Sequence, residues 1–387
     1  MNSLQSTSPM IVFCYLLPLV AVAQSQPPST ERATRLFTRW DKNRDSRLAP
    51  SELPDNARRN FQRVDGNQDG FISLNEHVSF LTKNRDSSQP RRKRRELAGI
   101  TIRRNIPYAE TDNPRQTLDL FLPRKRNAHH PLPVILWIHG GAWRGGSKAS
   151  GGDRISSFVR TGQYAGASIG YRLSDEARWP AQIHDCKAAI RWIRANASTY
   201  QLDGNKIAVY GSSAGGHLSA MLGVSENHPL LEGKLGNHTD QASRVTCVID
   251  FFGPTSFLKM DERPGKIVHN APDSPESQLV GAPIQRVPEK SRQASPLTHV
   301  GPDDAPHLIV HGTHDQLVPF HQSTIYHAAL RRAGIASTLI TIQEGGHGVR
   351  GSVLDERIAR FLGHYLYRRD TVLKDEVLDI DSLRRKR

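Results

Sequence analysis

Cysteine is scarce in this chain of 387 residues; only three occur. Cys14 lies in an apolar N-terminal stretch. Cys186 and Cys247 are flanked by core-type residues and neither sits in a C-x-x-C pair, so two buried free thiols are expected over a disulfide or a nucleophile. Cys/His zinc spacing is absent, and so is any basic motif interleaved with aromatics; no nucleic-acid partner is expected. Acidic residues are in deficit, 38 against 52 basic ones, for a formal net charge of +14. That surplus favours anionic partners such as an acidic polysaccharide or a membrane surface, although a solvated basic linker and tail would supply much of it.

Long apolar runs are missing too. Residues Ile11 to Ala23 (IVFCYLLPLVAVA) fall short of the roughly 20 residues a spanning helix needs, and Pro18 interrupts them. With Ala21-Val22-Ala23 before Gln24, segment 1–23 reads as a signal peptide. A secreted or periplasmic protein is expected, with no transmembrane segment in the mature chain. The stretch ahead of the run, MNSLQSTSPM, dissents by carrying no Lys or Arg.

Two similar loops follow, within residues 31–82. The first runs Asp41-Lys-Asn43-Arg-Asp45-Ser46-Arg47 to Glu52, the second Asp65-Gly-Asn67-Gln-Asp69-Gly70-Phe71 to Glu76. Both place side-chain oxygens at positions 1, 3, 5 and 12 and leave a backbone carbonyl at position 7, from Arg47 and Phe71. A hard cation needs six to eight oxygens at one centre, and this spacing wraps them around Ca²⁺. The loops resemble EF-hands, which implies a small all-α domain binding calcium. The second fits throughout, with Gly70 at the sharp turn and Ile72 where paired loops touch. The first departs at Ser46, which must take a backbone conformation that glycine tolerates better. Asx-rich turns binding nothing, or a dockerin-type module, are the alternatives; dockerin loops usually end in aspartate, and both of these end in glutamate. One helix over 53–64 is expected to leave the first loop and enter the second.

The stretch TKNRDSSQPRRKRRE from Thr82 to Glu96 lacks apolar periodicity, and residues 83–98 read as a solvated basic linker. From Gly99 to Arg368 strands alternate with helices. Strands are expected at 100–106, 116–122, 134–139, 164–171, 207–210, 245–251, 307–311 and 337–342, and helices at 180–200, 213–224, 322–333 and 352–367. This alternation argues for an α/β domain, a mainly parallel sheet covered by helices on both faces, with an antiparallel start. Residues 369–387 read as a frayed or disordered charged tail.

Four motifs converge in this region. Gly211-Ser212-Ser213-Ala214-Gly215 ends an apolar run and starts a small-residue helix, the pattern of a nucleophile elbow. His139-Gly140-Gly141 ends another run and could present backbone amides to an oxyanion; Gly140, Gly141 and Ala214 are the expected donors. His311-Gly-Thr-His314-Asp315 follows a third strand and offers Asp315 as the acid. Asp303 and Asp304 precede that strand and belong at the opposite edge. Glu344-Gly-Gly-His347-Gly offers His347 as the base. Ser213, Asp315, His347 is the chain order of α/β-hydrolases. His217, His311 and His314 read as neighbours.

With Tyr171-Arg-Leu and Trp179-Pro-Ala-Gln-Ile-His-Asp185 added, residues 99–368 resemble esterases of the hormone-sensitive-lipase-like and bacterial feruloyl/acetyl-esterase-like families. Those families often read His-Gly-Gly-Gly, and this chain has Ala142 in third place. The resemblance implies the α/β-hydrolase fold and a serine carboxylesterase needing no cofactor for catalysis. Its substrate would be an acyl ester, acetyl or feruloyl on a polysaccharide, and the Pro- and charge-rich segment 252–293 would form part of the substrate rim. A lipase, a peptidase of the prolyl-oligopeptidase type, or a degenerate calcium-dependent binding protein are the rival readings.

Overall fold

A computed structural model describes residues 28–383 apart from 59, 68, 88–97, 127–129 and 264. The expected signal peptide and most of the linker lie outside the described residues. The chain divides into two units, 1–92 and 93–387.

In the first unit, helix Pro28–Trp40 leads into the first loop and helix Leu74–Ser87 leaves the second. The latter continues into the stretch expected to be linker. Two short strands, β1 (Arg47–Leu48) and β2 (Ile72–Ser73), pair antiparallel, with Leu48 opposite Ile72. These two residues join Phe37, Leu53 and Val64 in a small core. The single helix expected between the loops is instead two short pieces, Asp55–Arg58 and Phe61–Val64. The loops are conformational copies. Ser46 and Gly70 both have positive φ, 65° and 85°, and their amides donate to Asp41 and Asp65 respectively, each at 3.0 Å.

The second unit is built on a nine-stranded sheet. An interior strand, β5 (Leu132–Ile138), is buried along its whole length. Successive side chains point to opposite faces, so Val134, Leu136 and Ile138 join one core while Ile135 and Trp137 join the other. A strand apolar on both faces must be covered on both. Helices Ala181–Ala195 and Ala214–Val224 cover the first face, and Gly152–Val159 with Ser352–Tyr367 the second.

The remaining strands are β3 (Ile100–Pro107), β4 (Thr117–Pro123), β6 (Ala165–Ile169), β7 (Leu202–Ser212), β8 (Cys247–Phe251), β9 (His307–Gly312), β10 (Ser337–Gln343) and β11 (Glu376–Asp379). Their order is β11-β10-β9-β8-β7-β5-β6-β4-β3. All pairings are parallel except β3 with β4 and β4 with β6, so β4 alone runs against the rest. Chain order departs in opposite directions from β5: β6 lies on one side and β7 on the other. The crevice beyond the carboxyl ends of two such strands is where open α/β sheets place ligands.

The tail departs from expectation. Residues Glu376–Asp379 pair in parallel with β10, Arg357 binds Glu376 at 2.9 Å, and Leu383 is buried. Tertiary contact, not local pattern, orders it. Cys186 and Cys247 are buried and free.

Candidate active site

β7 ends at Ser212, and the next residue, Ser213, has φ 56° and ψ −123°, a conformation costing on the order of 1–3 kcal/mol outside glycine. Helix Ala214–Val224 starts immediately after it. A Cβ on Gly211 would lie 2.1 Å from the Gly215 carbonyl, and one on Gly215 would lie 2.1 Å from that of Ile138. Strand, turn and helix therefore close only if both positions lack a side chain. Phe251 O accepts from the Ser213 amide at 2.8 Å and fixes the turn to β8.

Asp315 and His347 come from the loops after β9 and β10. Those loops are tied by His314 N to Gly345 O (2.8 Å) and Glu344 N to Thr313 Oγ1 (2.9 Å). His347 Nδ1 lies 2.7 Å from Asp315 Oδ2, so it carries the proton and donates, leaving Nε2 free to accept one. Asp315 Oδ1 accepts the amides of Leu317 and Val318 at 2.8 and 3.0 Å. Oδ2 also receives His311 Nε2 at 3.1 Å. Burial alone would raise this carboxyl, but the hydrogen bonds from His311 and His347 outweigh it and hold the group well below the usual carboxylate range.

His311, read from sequence as a mere neighbour, is thus a second anchor for Asp315. Its Nε2 faces two acceptors, Asp315 Oδ2 and Val318 O, and so carries the proton, while Nδ1 accepts from Ser323 Oγ at 2.7 Å. The signal was the spacing His311…Asp315, four residues apart in one turn; nothing local distinguishes it from His314.

Ser213 and His347 line one cavity of about 70 Å³ with Ala142, Trp143, Ala214, Leu317 and Val318. They do not hydrogen-bond each other here; such contacts commonly tighten only when substrate is bound. Segment 252–293, expected to form part of a substrate rim, contributes Pro254, Ile267, Pro275 and Glu276 to the same cavity. Asp303 and Asp304 line a different cavity with Asn205 and Thr246.

Of the expected oxyanion donors, Ala214 lines the cavity. Gly140 packs so close to the elbow that a Cβ would lie 2.6 Å from Ser212 O. Its carbonyl accepts from His139 Nδ1 at 2.8 Å, which turns the Gly141 N–H of the same trans peptide the opposite way. Gly141, Ala142 and Trp143 then follow with φ of 120°, 56° and 53°. Ala142 therefore holds a conformation that favours glycine, and Ala142, not Gly141, lines the cavity. His139 stacks on Tyr171 at 4.2 Å, and the Tyr171 hydroxyl donates to His139 O at 2.8 Å. Burial lowers His139 to about 4, so the imidazole is neutral. His217 is likewise lowered to about 4 by burial, donates to Ala294 O at 2.6 Å, and packs on Trp143 and Phe257. It is a wall residue. Arg172 and Asp185 meet at 2.7 Å and tie the loop after β6 to helix Ala181–Ala195.

The first unit holds the other candidate residues. In its second loop Asp69 N donates to Asn67 Oδ1 at 3.1 Å, Asn67 N to Glu76 Oε1 at 3.2 Å, and Ser73 N to Glu76 Oε2 at 2.9 Å. In the first, Asp45 N donates to Asn43 Oδ1 at 3.0 Å and Ala49 N to Glu52 Oε2 at 2.9 Å. Among the described residues no group of three or more His, Cys, Asp or Glu side chains gathers as a metal cluster. Calcium nevertheless fits the donor chemistry. A carboxylate has about four lone-pair sites, so accepting an amide leaves room for a cation, and Asp41 Oδ1 is buried without any partner.

Residues 118–330 match the model of the BD-FAE family. The matched stretch holds Ser213 and Asp315 and stops short of His347. Esterase LipC of Mycobacterium tuberculosis is 34% identical over 247 residues, 64% of this chain and 59% of that protein. The chain spans about half the length of the curated relatives it matches. A truncated carbohydrate esterase from gut microbiota is similar in structure, with 35% identity and a TM-score of 0.60 over 64% of this chain and 89% of that one. The bifunctional GH43-CE protein of Bacteroides eggerthii is similar at 30% identity and a TM-score of 0.63, over 68% of this chain and 38% of its own. The second unit has the mostly parallel, helix-covered sheet of an α/β-hydrolase.

Proposed function

The chain belongs to the BD-FAE family, and from that premise we propose that it is an exported serine carboxylesterase acting on short acyl esters carried by a polysaccharide. The observation that carries this reading is a serine on a left-handed elbow sharing one cavity with a histidine that is 2.7 Å from a buried carboxylate.

In the proposed reaction His347 Nε2 takes the Ser213 proton as Oγ attacks the ester carbonyl. Amides of the Gly140–Ala142 turn and of Ala214 stabilise the oxyanion, a contribution of ~10²–10³ in kcat for each donor. His347 then gives its proton to the departing alcohol. Water, deprotonated by His347, releases the acid and restores Ser213. Asp315 stays ionised throughout, fixing the imidazole and stabilising its charged form. A cavity of about 70 Å³ suits a small acyl group such as acetyl better than a long chain.

Export is supported by the apolar segment Ile11 to Ala23, and an anionic polymer by the net charge of +14. Calcium would be held by Asp41, Asn43, Asp45 and Glu52 with the Arg47 carbonyl, and by Asp65, Asn67, Asp69 and Glu76 with the Phe71 carbonyl. It would supply cross-linking of each loop and no step of the reaction.

A fluorophosphonate probe tests the reading together with a panel of acetylated, feruloylated and synthetic short- and long-chain esters. Labelling of Ser213 and turnover of short esters are expected, with Ser213→Ala lowering kcat by about 10⁶. Retained activity in that variant, or turnover of peptides alone, would sink it.

A further inference from the structure

The cavity that holds Ser213 is lined mainly by apolar side chains and backbone, and Glu276 is the only carboxylate among its lining residues. Glu276 sits in the first turn of helix Pro275–Val280, and its side chain is 3% exposed. One oxygen, Oε2, lies 2.9 Å from Nδ1 of His269, itself 2% exposed. His269 is held in turn: its amide donates to Asp261 Oδ1 at 2.8 Å, and its carbonyl accepts from Ser274 Oγ and Ser277 Oγ at 2.5 and 3.2 Å. The pair is therefore a fixed part of the wall.

It is also an incomplete part. Among the described residues Glu276 Oε1 has no protein hydrogen bond, and His269 Nε2 is buried with no partner. Leaving a buried polar atom unsatisfied costs stability, and a carboxylate facing an apolar cavity costs more unless a donor meets it. An acetyl group offers no donor. A hydroxyl next to the esterified oxygen does.

On the esterase reading above, we infer that Glu276 Oε1 accepts a hydroxyl hydrogen bond from the alcohol half of the substrate, with His269 positioning the carboxylate. The site is thereby tuned to esters of polyhydroxylated alcohols, as in a partly acetylated sugar, over esters whose alcohol half has no free hydroxyl. A site that meets a substrate hydroxyl with an acceptor held at its wall, on a side chain only 3% exposed, disfavours analogues lacking that group. A phenolic hydroxyl on a feruloyl group is the same chemistry from the acyl half, but a cavity of about 70 Å³ leaves that larger group outside.

The test compares kcat/KM of the native protein, Glu276→Gln and Glu276→Asp on a mono-acetylated methyl glycoside, on p-nitrophenyl acetate and on methyl ferulate, with melting temperatures alongside. The expected result is a fall of about tenfold or more in the ratio of glycoside to p-nitrophenyl ester in Glu276→Gln, the scale of one hydrogen bond to a charged acceptor. Glu276→Asp, which keeps the charge, should recover part of it. An equal loss on both acetyl esters assigns Glu276 a structural role and overturns the inference while leaving the esterase reading intact. A loss confined to methyl ferulate overturns the placement on the alcohol half. Native protein inert towards all three esters overturns the esterase reading itself.

Discussion

The two units hold their oxygen-rich side chains in opposite ways. In the first, every anchor is local: Asp65 is capped by the amides of Asp69 and Gly70, and Glu76 by Gly66, Asn67 and Ser73, all within one loop. In the second, Asp315 has local anchors in His311, Leu317 and Val318, but its partner His347 lies 32 residues away, delivered by a different strand. A local loop can form with little help from the rest of the chain. Its carboxylates range from exposed, as at Asp45 and Asp69, to buried, as at Asp65, and a cation would supply what the protein does not. A site assembled across a sheet is largely buried, but it exists only while the sheet does. Loop chemistry should therefore respond to calcium, and sheet chemistry to whatever loosens the core.

The sharpest break falls on the non-local side. Asp315→Asn removes the charge that both histidines meet and should lower kcat by about 10⁴, as loss of the triad acid does in serine hydrolases. Melting should fall too, since the Leu317 and Val318 amides face the same carboxylate. Steady-state kinetics and a thermal scan check both; a variant within tenfold of native would remove Asp315 from the mechanism.

Acid provides the second. Burial lowers His139, His217 and His307 to about 4. The unfolded chain binds these protons near pH 6.5, so the stability is complete above that pH and is lost as pH falls from about 6.5 towards 4, by up to about 3 kcal/mol for each histidine. Asp250 works against this. Burial raises it to about 7, so the folded state gains a proton between pH 7 and 4 and recovers part of the loss. Urea midpoints measured across that range should decline overall, and a flat profile would contradict the buried, neutral histidines.

Calcium gives the smallest effect. At a hundredfold excess over its Kd the ion should add about 2.7 kcal/mol to the first unit. Chelation should thus lower a melting transition of that unit while kcat on a soluble ester stays within about twofold. A melting profile indifferent to both calcium and chelator would show that the loops bind nothing.

Much of this was legible from residues because the constraints are local or steric. Gly211 and Gly215 flank Ser213 because strand and helix backbones nearly touch there, and that requirement is written in five residues. The similar turns of the twin loops, with positive φ at both Ser46 and Gly70, follow from residue spacing in the same way. Asp315 and His347 were readable by order along the chain, since each follows an apolar strand. Glu276 was not, because its meaning depends on a partner in another turn and on the cavity beyond it. Nor was β11. The sequence EVLD carries no pattern of its own, and only the exposed edge of β10 makes a strand of it. The helix expected between the two loops, from the shortness of the span, is divided: Asn60, with φ −103° and ψ 4°, stands between Asp55–Arg58 and Phe61–Val64.

The tail has one more consequence. A Cβ on Gly351 would lie 2.1 Å from the carbonyl oxygen of Leu383, and Val349 and Leu383 share a core cluster. The loop that presents His347 therefore rests on backbone from beyond β11, a strand hydrogen-bonded on one side only. Edge strands open at lower free-energy cost than the middle of a sheet. His347 is thus buttressed by chain from beyond the edge strand of the sheet, while Ser213 beside it is set at the end of the central one.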